Sequence, residues 1–261
     1  MKKINIGNSG LLASEISLGI MRMNALTHEE ATAVIRTAVD NGIDYFDHAD
    51  IYGRGTSEEI FGKAFKELGI ARDSVMLQTK CGIVPGVMFD FSKEHIIASV
   101  EGSLKRLQTD YVDALLLHRP DTLVEPEEVA EAFDELHKAG KVRHFGVSNQ
   151  NPMQIELLKK AVTQPLLINQ LQLSLTHAPM IDAGFNVNMM NNPSFMHDGS
   201  VLEYSRISDM TIQPWSPFQA GNGKKGLFFD HPDYPELNEK INTIAEDKGV
   251  SREAIAIAWL L

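Results

Sequence analysis

The sequence holds a single cysteine, Cys81, in 261 residues, so no disulfide can form within the chain and a reducing compartment is its natural setting. Long apolar runs are missing as well. No stretch approaches the ~18 consecutive apolar residues that a membrane-spanning helix needs. The initial Lys2 and Lys3 lead into INIGNSG instead of the apolar core of a signal peptide. These absences together predict a cytoplasmic protein. Positive charge is scarce: 24 Lys and Arg stand against 35 Asp and Glu, a formal net charge of −11. Such a surface lacks the clustered cations that grip phosphate backbones or anionic headgroups, which excludes nucleic-acid and membrane binding as the main task. It leaves room for a local basic pocket for a phosphorylated small molecule. No proline- or glycine-rich linker divides the chain, so a single domain over residues 1–261 is expected. No G-x-G-x-x-G follows the first strand-like run, which removes the fingerprint of a dinucleotide-binding doubly wound sheet.

What is present is a regular alternation. Seven short apolar runs rich in β-branched residues recur: ISLGI (16–20), DYFDHA (44–49), VMLQTK (75–80), VDALLLH (112–118), HFGVSN (144–149), LLINQLQL (166–173) and TIQPWS (211–216). Their near-continuous apolarity predicts strands buried on both faces, as in a parallel sheet. Between them lie segments of helical period with their own start and stop signals. Thr27 and Glu30 form a capping box ahead of Ala31, Val34, Ile35 and Ala38, with Gly42 as the stop. Ser92 precedes Ile96, Val100, Leu104 and Leu107; Pro126 opens a helix whose stripe is Val129, Phe133 and Leu136; Asn151-Pro152 is a cap followed by proline at the first helical position. Strand–helix alternation of this kind defines an α/β fold.

Pattern alone admits an open sheet or a closed barrel; the polar residues decide. Asp47, Lys80, His118, Ser148-Asn149, Gln170 and Trp215-Ser216 stand at the C-terminal ends of six different runs, which is where a barrel gathers its active site into one mouth. The predicted fold is therefore a (β/α)8 TIM barrel.

The segment GIDYFDHADIYGRGTSEEIFGKAF, followed in order by VMLQTKCG, YVDALLLHRPD, FGVSN, NQLQLS and PWSPF, resembles the aldo-keto reductase family from near the N-terminus to about residue 260. The resemblance implies an oxidoreductase that reduces aldehydes or ketones by hydride transfer from NADP(H), with Asp47, Tyr52, Lys80 and His118 as catalytic tetrad. It implies Tyr52 as general acid and His118 as the donor that orients the carbonyl. Ser148, Asn149 and Gln170 resemble the ligands of the nicotinamide carboxamide, Trp215 the aromatic that stacks on its ring, and Ser216, Pro217 and Phe218 the start of the loop over the pyrophosphate. The residue types suit the chemistry. A carbonyl gaining hydride builds negative charge on oxygen, and a proton donor must stand beside it. Tyrosine, at an ordinary pKa of ~10, is a poor acid, and the Lys80 ammonium is expected to lower that value while Asp47 keeps the lysine charged.

Each residue taken singly has a plainer use. Asp47 and Lys80 make a buried ion pair, His118 a core histidine, Tyr52 and Trp215 packing groups, and Ser148-Asn149 the N-terminal cap of the helix beginning at Pro152; the joint match in order favours the functional reading. DHAD (47–50) with His118 also admits a metal-dependent hydrolase, but Ser, Gln and Trp stand at the later strand ends where further ligands would be needed. His48, where many family members carry Thr, alternates with Asp47 and should face the surrounding helices. Ile83, Val84, Met88 and Phe89, with Met21 and Met23, offer an apolar substrate pocket or ordinary loop packing. Segment 177–198 lacks helical period and reads as a long loop. The sequence closes on AIAIAWLL, a helix capped at Ser251, with seven strands where the family's barrel has eight. The expectation is a barrel without its last strand, its ribose-phosphate segment and its final helices, by truncation more than by completion from a partner. A non-catalytic NADP-binding regulatory protein on the same fold, of the kind potassium-channel beta subunits exemplify, is the alternative function.

Overall fold

In the computed structural model residues 1–194, 199–221 and 223–261 are described. The chain opens with an antiparallel hairpin, β1 (Lys3–Ile6) and β2 (Leu11–Ser14). It continues through β3 (Leu18–Gly19), α1 (His28–Asp40), β4 (Tyr45–Asp47), α2 (Thr56–Leu68) and β5 (Met76–Cys81). A second small hairpin, β6 (Ile83–Val84) and β7 (Met88–Phe89), precedes α3 (Lys93–Leu107), β8 (Val112–Leu117), α4 (Pro126–Lys138), β9 (Val142–Ser148) and α5 (Pro152–Leu158). Then come β10 (Leu166–Gln172), α6 (Pro179–Phe185), α7 (Val201–Ile207), β11 (Thr211–Trp215), α8 (Pro235–Lys248) and α9 (Arg252–Ala258).

Contacts are densest within two compact units, Met1–Asn169 with Ile207–Thr211, and Gln170–Arg206 with Ile212–Leu261. In the first unit the strands hydrogen-bond in the order β10-β9-β8-β5-β4-β3, and the β3–β4, β4–β5, β5–β8 and β8–β9 pairs are parallel. β8 is buried at all six positions, which explains its unbroken VDALLL: both faces are covered, so no polar alternation is required. All seven apolar runs identified in the sequence carry a strand of this fold.

The helix signals hold at the atomic level. Thr27 and Glu30 make a reciprocal capping box, Asn151 and Gln154 make another, and Ser92 and Ser251 accept from the third helical amide of α3 and α9. Proline occupies the first turn of α4 and α5, where its missing N–H is no loss.

The β1–β2 hairpin was not legible as structure, and it closes the sheet at its N-terminal end. Ile6 and Ala13 join Tyr45, Ala114, Leu116, Leu167 and Ile168 in one apolar cluster. Gly7 donates its amide to Thr211 Oγ1 at 2.8 Å, and at φ +55° with Leu167 within 3 Å of any added Cβ it must be glycine.

In the second unit β11 lies next to β10. Leu171, Met180 and Val201 form one small core, and Phe228, Ile241 and Ala256 another that pins α8 to α9. Segment 177–198, expected as a loop, contains the seven-residue helix α6; its residues 195–198 lie outside the described ones. No helix is long and apolar enough to cross a membrane, among the described residues.

Candidate active site

β4 and β5 run parallel with Asp47 opposite Gln78, so the pleat puts Tyr45 and Asp47 of one strand and Gln78 and Lys80 of the other on a common face. Lys80 has no exposed surface, and its ammonium uses all three N–H bonds: to Asp47 Oδ2 at 2.8 Å, to the His48 carbonyl at 2.7 Å and to the Tyr52 hydroxyl at 3.0 Å. Tyr52 reaches it from a short helical turn, Tyr52–Gly55, in which Gly53 and Arg54 are both left-handed. A Cβ on Gly53 would collide with Asn24, so the tight reversal that returns Tyr52 to Lys80 depends on that glycine. His118 follows β8, its amide held by the Cys81 carbonyl, and its ring meets Tyr52 edge-on at 5.9 Å between centroids. The four residues expected as a tetrad are thus brought together within the first unit.

Electrostatics refine the expectation for Tyr52. Burial pushes its phenol above the ordinary value, the Lys80 ammonium pulls it down, and Asp47 pushes it up again. The net shift is upward, so the sequence-based inference that Lys80 would lower the pKa gives only one of the opposing effects. Burial works against the charge on Lys80, but Asp47 and Tyr52 outweigh it and hold the ammonium above its usual range. His118 is pressed down to about 3 by burial and by the positive Lys80 and Arg119, so it is neutral, and its Nδ1 is buried without a hydrogen-bond partner.

Ser148, the last residue of β9, is buried, and Asn149 follows in the left-handed region at φ 58°, a conformation asparagine tolerates. The Asn149 amide donates to Ser148 Oγ at 2.8 Å and to the His118 carbonyl at 3.3 Å, tying the ends of β8 and β9. In the second unit Gln170 donates to Gln213 Oε1 at 2.6 Å, Trp215 ends β11, and Ser216 takes a left-handed φ of 52° before Pro217 and Phe218.

Sequence reasoning missed Gln78. Fully buried, it donates to Asp47 Oδ1 and accepts from the Tyr45 hydroxyl at 2.7 Å, so it orients the carboxylate that holds Lys80. A signal was there: a glutamine in a buried strand two residues before Lys80 must share its face and needs partners. His48 turns away as expected, its ring edge-on to Phe61 of α2 at 4.4 Å. Of the apolar candidates, Met23 is buried, Met21, Met88 and Phe89 are exposed, and the last two lie in the β6–β7 hairpin. No three His, Cys, Asp or Glu side chains converge as a metal-binding group, among the described residues.

A parallel sheet with Asp47, Lys80, His118 and Ser148 at successive strand ends is the arrangement expected of an aldo-keto reductase barrel, and comparison with known proteins gives the family. The profile of the Aldo/keto reductase family matches residues 15–261, and the chain belongs to that family. The oxidoreductase YcsN of Bacillus subtilis is 41% identical over 274 residues, covering 100% of this chain and 84% of YcsN. A 6-dehydroglucose reductase of Agrobacterium fabrum is 36% identical over 238 residues, 88% of this chain and 73% of that protein. The crystal structure of an aldo/keto reductase from Klebsiella pneumoniae in complex with NADP and acetate superposes with a TM-score of 0.76 at 26% identity, covering 99% of this chain and 80% of the other.

Proposed function

We propose that the protein reduces aldehydes or ketones to alcohols in the cytoplasm, with NADP(H) as hydride source and Tyr52 as proton donor. The observation that carries this reading is the hydrogen bond from Lys80, fully buried and held by Asp47, to the Tyr52 hydroxyl at 3.0 Å. Because the phenol oxygen accepts from Lys80, its own proton is directed elsewhere, toward an incoming carbonyl oxygen. The raised pKa keeps Tyr52 protonated at rest. As negative charge develops on the carbonyl oxygen that atom becomes the stronger base, the proton crosses to it, and the phenolate left behind lies against an ammonium. Neutral His118 contributes a ring N–H to the same oxygen and fixes its approach.

A bound nicotinamide would supply the hydride. The residues fit such a group: the Asn149 amide and the Ser148 hydroxyl stand at the end of β9 beside His118, whose Nδ1 is buried and unpartnered, a mixed donor and acceptor set of the kind a carboxamide requires. Gln170 with the carboxamide, Trp215 with the ring, and Ser216, Pro217 and Phe218 with the pyrophosphate are proposed contacts carried over from the family. An aldehyde sugar related to the substrate named for the Agrobacterium relative is the first carbonyl to try.

The test has two parts. Trp259 is the other tryptophan and is partly exposed, so Trp259→Phe isolates the emission of Trp215. Titration with NADPH, then NADH, should give saturable quenching. Tyr52→Phe should then bind cofactor normally while kcat falls about 10²–10⁴-fold, the span of general acid catalysis. Turnover near that of the wild type in this variant overturns the assignment.

A further inference from the structure

Between the sheet and helices α2 and α3 lies a second group of ionisable side chains that the proposed proton transfer does not use. Asp50 leads from β4 into the Tyr52 turn, and its amide donates to the Lys80 carbonyl at 3.1 Å. Its carboxyl points inward, with Oδ1 buried and without a hydrogen-bond partner. Glu58 of α2 is near enough to act on it as a like charge. That glutamate has no exposed surface, and its oxygens are taken by Thr79 Oγ1 at 2.7 Å and Arg106 Nε at 2.7 Å. The local guanidinium is therefore committed to Glu58, and Asp50 is left beside a like charge without a counter-ion of its own. From α3 Ser99 stands near the Asp50 carboxyl and pulls its pKa down, as the Ile51 amide does. Ser99 Oγ in turn lies 3.4 Å from His95 Nε2, and His95 Nδ1 lies 3.9 Å from Asp90 Oδ2, where both side chains are partly exposed. From β5 the Cys81 thiol completes the surroundings, and burial, with Asp50 second, pushes it well above its usual range.

We propose that Asp50 is a positioning residue, neutral in the competent enzyme, whose ionisation loosens the turn that carries Tyr52. A neutral acid carries no charge for Glu58 to repel, and Ser99 and His95, 3.4 Å apart, lead from its neighbourhood to the partly exposed Asp90. A carboxylate in the same place has one oxygen with no donor and Glu58 opposite, an arrangement that burial makes unfavourable. Relief has to come from movement. The movement is placed in the short turn after Asp50, since α2 and α3 are joined to each other by the Glu58–Arg106 ion pair and by the close approach at Gly62, where an added Cβ would lie within 3 Å of the Arg106 carbonyl oxygen.

The titration falls in a useful range. Burial first, then Glu58, push the Asp50 carboxyl up to about 7, against the pull of Ser99 and Arg106. His48 and His118 are both held neutral, with values of about 3, so neither imidazole adds a limb between pH 5 and 8. The folded protein binds this proton more tightly than the unfolded chain, whose reference is 3.8. Its stabilising effect is therefore full below that reference, declines as pH rises, and is lost once pH passes about 7.

The kinetic half of the proposal rests on the reductase reading; the titration does not. The experiment measures the unfolding midpoint and kcat from pH 5 to 9 for the wild type and Asp50→Asn. Relative to the variant, the wild type should lose stability from pH 5 to about 8 and then run parallel. Its kcat should be about tenfold lower at pH 8 than at pH 6, following the protonated fraction, while Asp50→Asn stays nearly flat. Parallel stability curves and parallel rate profiles overturn the proposal. Should Asp50→Asn fail to fold, Glu58→Gln, which removes the like charge, should move the wild-type stability limb to lower pH, and an unmoved limb overturns it. Absence of turnover at every pH defeats the reductase reading instead, and the stability curves then decide the role of Asp50 alone.

Discussion

A lysine without exposed surface retains its charge only if its surroundings repay the lost hydration, and at Lys80 they do so through three acceptors, one of them Asp47. Removing a partner from such a pair destabilises a protein by about 3–5 kcal/mol, so Asp47→Ala or Lys80→Ala would confuse catalysis with folding. Gln78 is the better probe of how the pair is held. Gln78→Leu keeps the bulk but removes the bond to Asp47 Oδ1 and the Gln78 acceptor of the Tyr45 hydroxyl. The lost neutral bond costs about 0.5–1.5 kcal/mol and the lost bond to the carboxylate about 1.5–3 kcal/mol, and a less constrained Asp47 lets Lys80 drift from Tyr52. The expected result is a lower urea midpoint together with about a tenfold fall in kcat and little change in cofactor affinity. Wild-type kcat in a folded variant would show that Asp47 needs no orienting partner. At this scale the grouping of Asp47, Tyr52, Lys80 and His118 in space was legible because their motifs occur in order. The charge state of Tyr52 was not, since the balance among burial, Lys80 and Asp47 depends on distances that no strand pattern encodes.

At the scale of elements, β4, β5, β8 and β10 were legible because strands covered on both faces leave an unbroken apolar run, while the only partly buried β3 and β11 were legible from short apolar runs at their place in the alternation. The caps of α1, α3, α5 and α9 were legible because capping is a local, side-chain-to-amide affair. The hairpins were not. β6 and β7 are two residues each, too short to show alternation, and β1–β2 has its meaning only in the contact of Ile6 and Ala13 with the distant Leu167 and Ile168. Gly146 on β9 shows how closely neighbouring elements are fitted: a Cβ there would stand 2.7 Å from the Ile168 carbonyl oxygen and 2.7 Å from Leu116 Cδ2. One of those neighbours is backbone and cannot rotate away. Gly146→Ala should therefore lose about 1–3 kcal/mol by overpacking, even though alanine is the better strand residue in most settings. Chemical denaturation tests this, and an unchanged midpoint would mean that β10 yields at Ile168.

For the whole molecule the question is how many units melt. The contact-dense units divide within continuous elements: β10 contributes Leu166–Asn169 to one and its remaining residues to the other, and β11 is divided after Thr211. A strand cut in this way cannot lose one half without disturbing the ladder of the other, because its backbone groups pair residue by residue along its length. The sequence, with no linker between residues 1 and 261, leads to the same proposal of one folding domain. Differential scanning calorimetry should accordingly give one transition, with the van't Hoff enthalpy close to the calorimetric one. Two resolved transitions would mean that the division within β10 is a true domain boundary. Saturating NADPH extends the test, because a ligand stabilises only what it binds. Ser148 and Asn149 at the end of β9, and separately Gln170 and Trp215, are the two sets of proposed cofactor contacts. A single transition that moves upward with NADPH fits that proposal. Two transitions of which only one moves would assign the cofactor to one set of residues and withdraw the other.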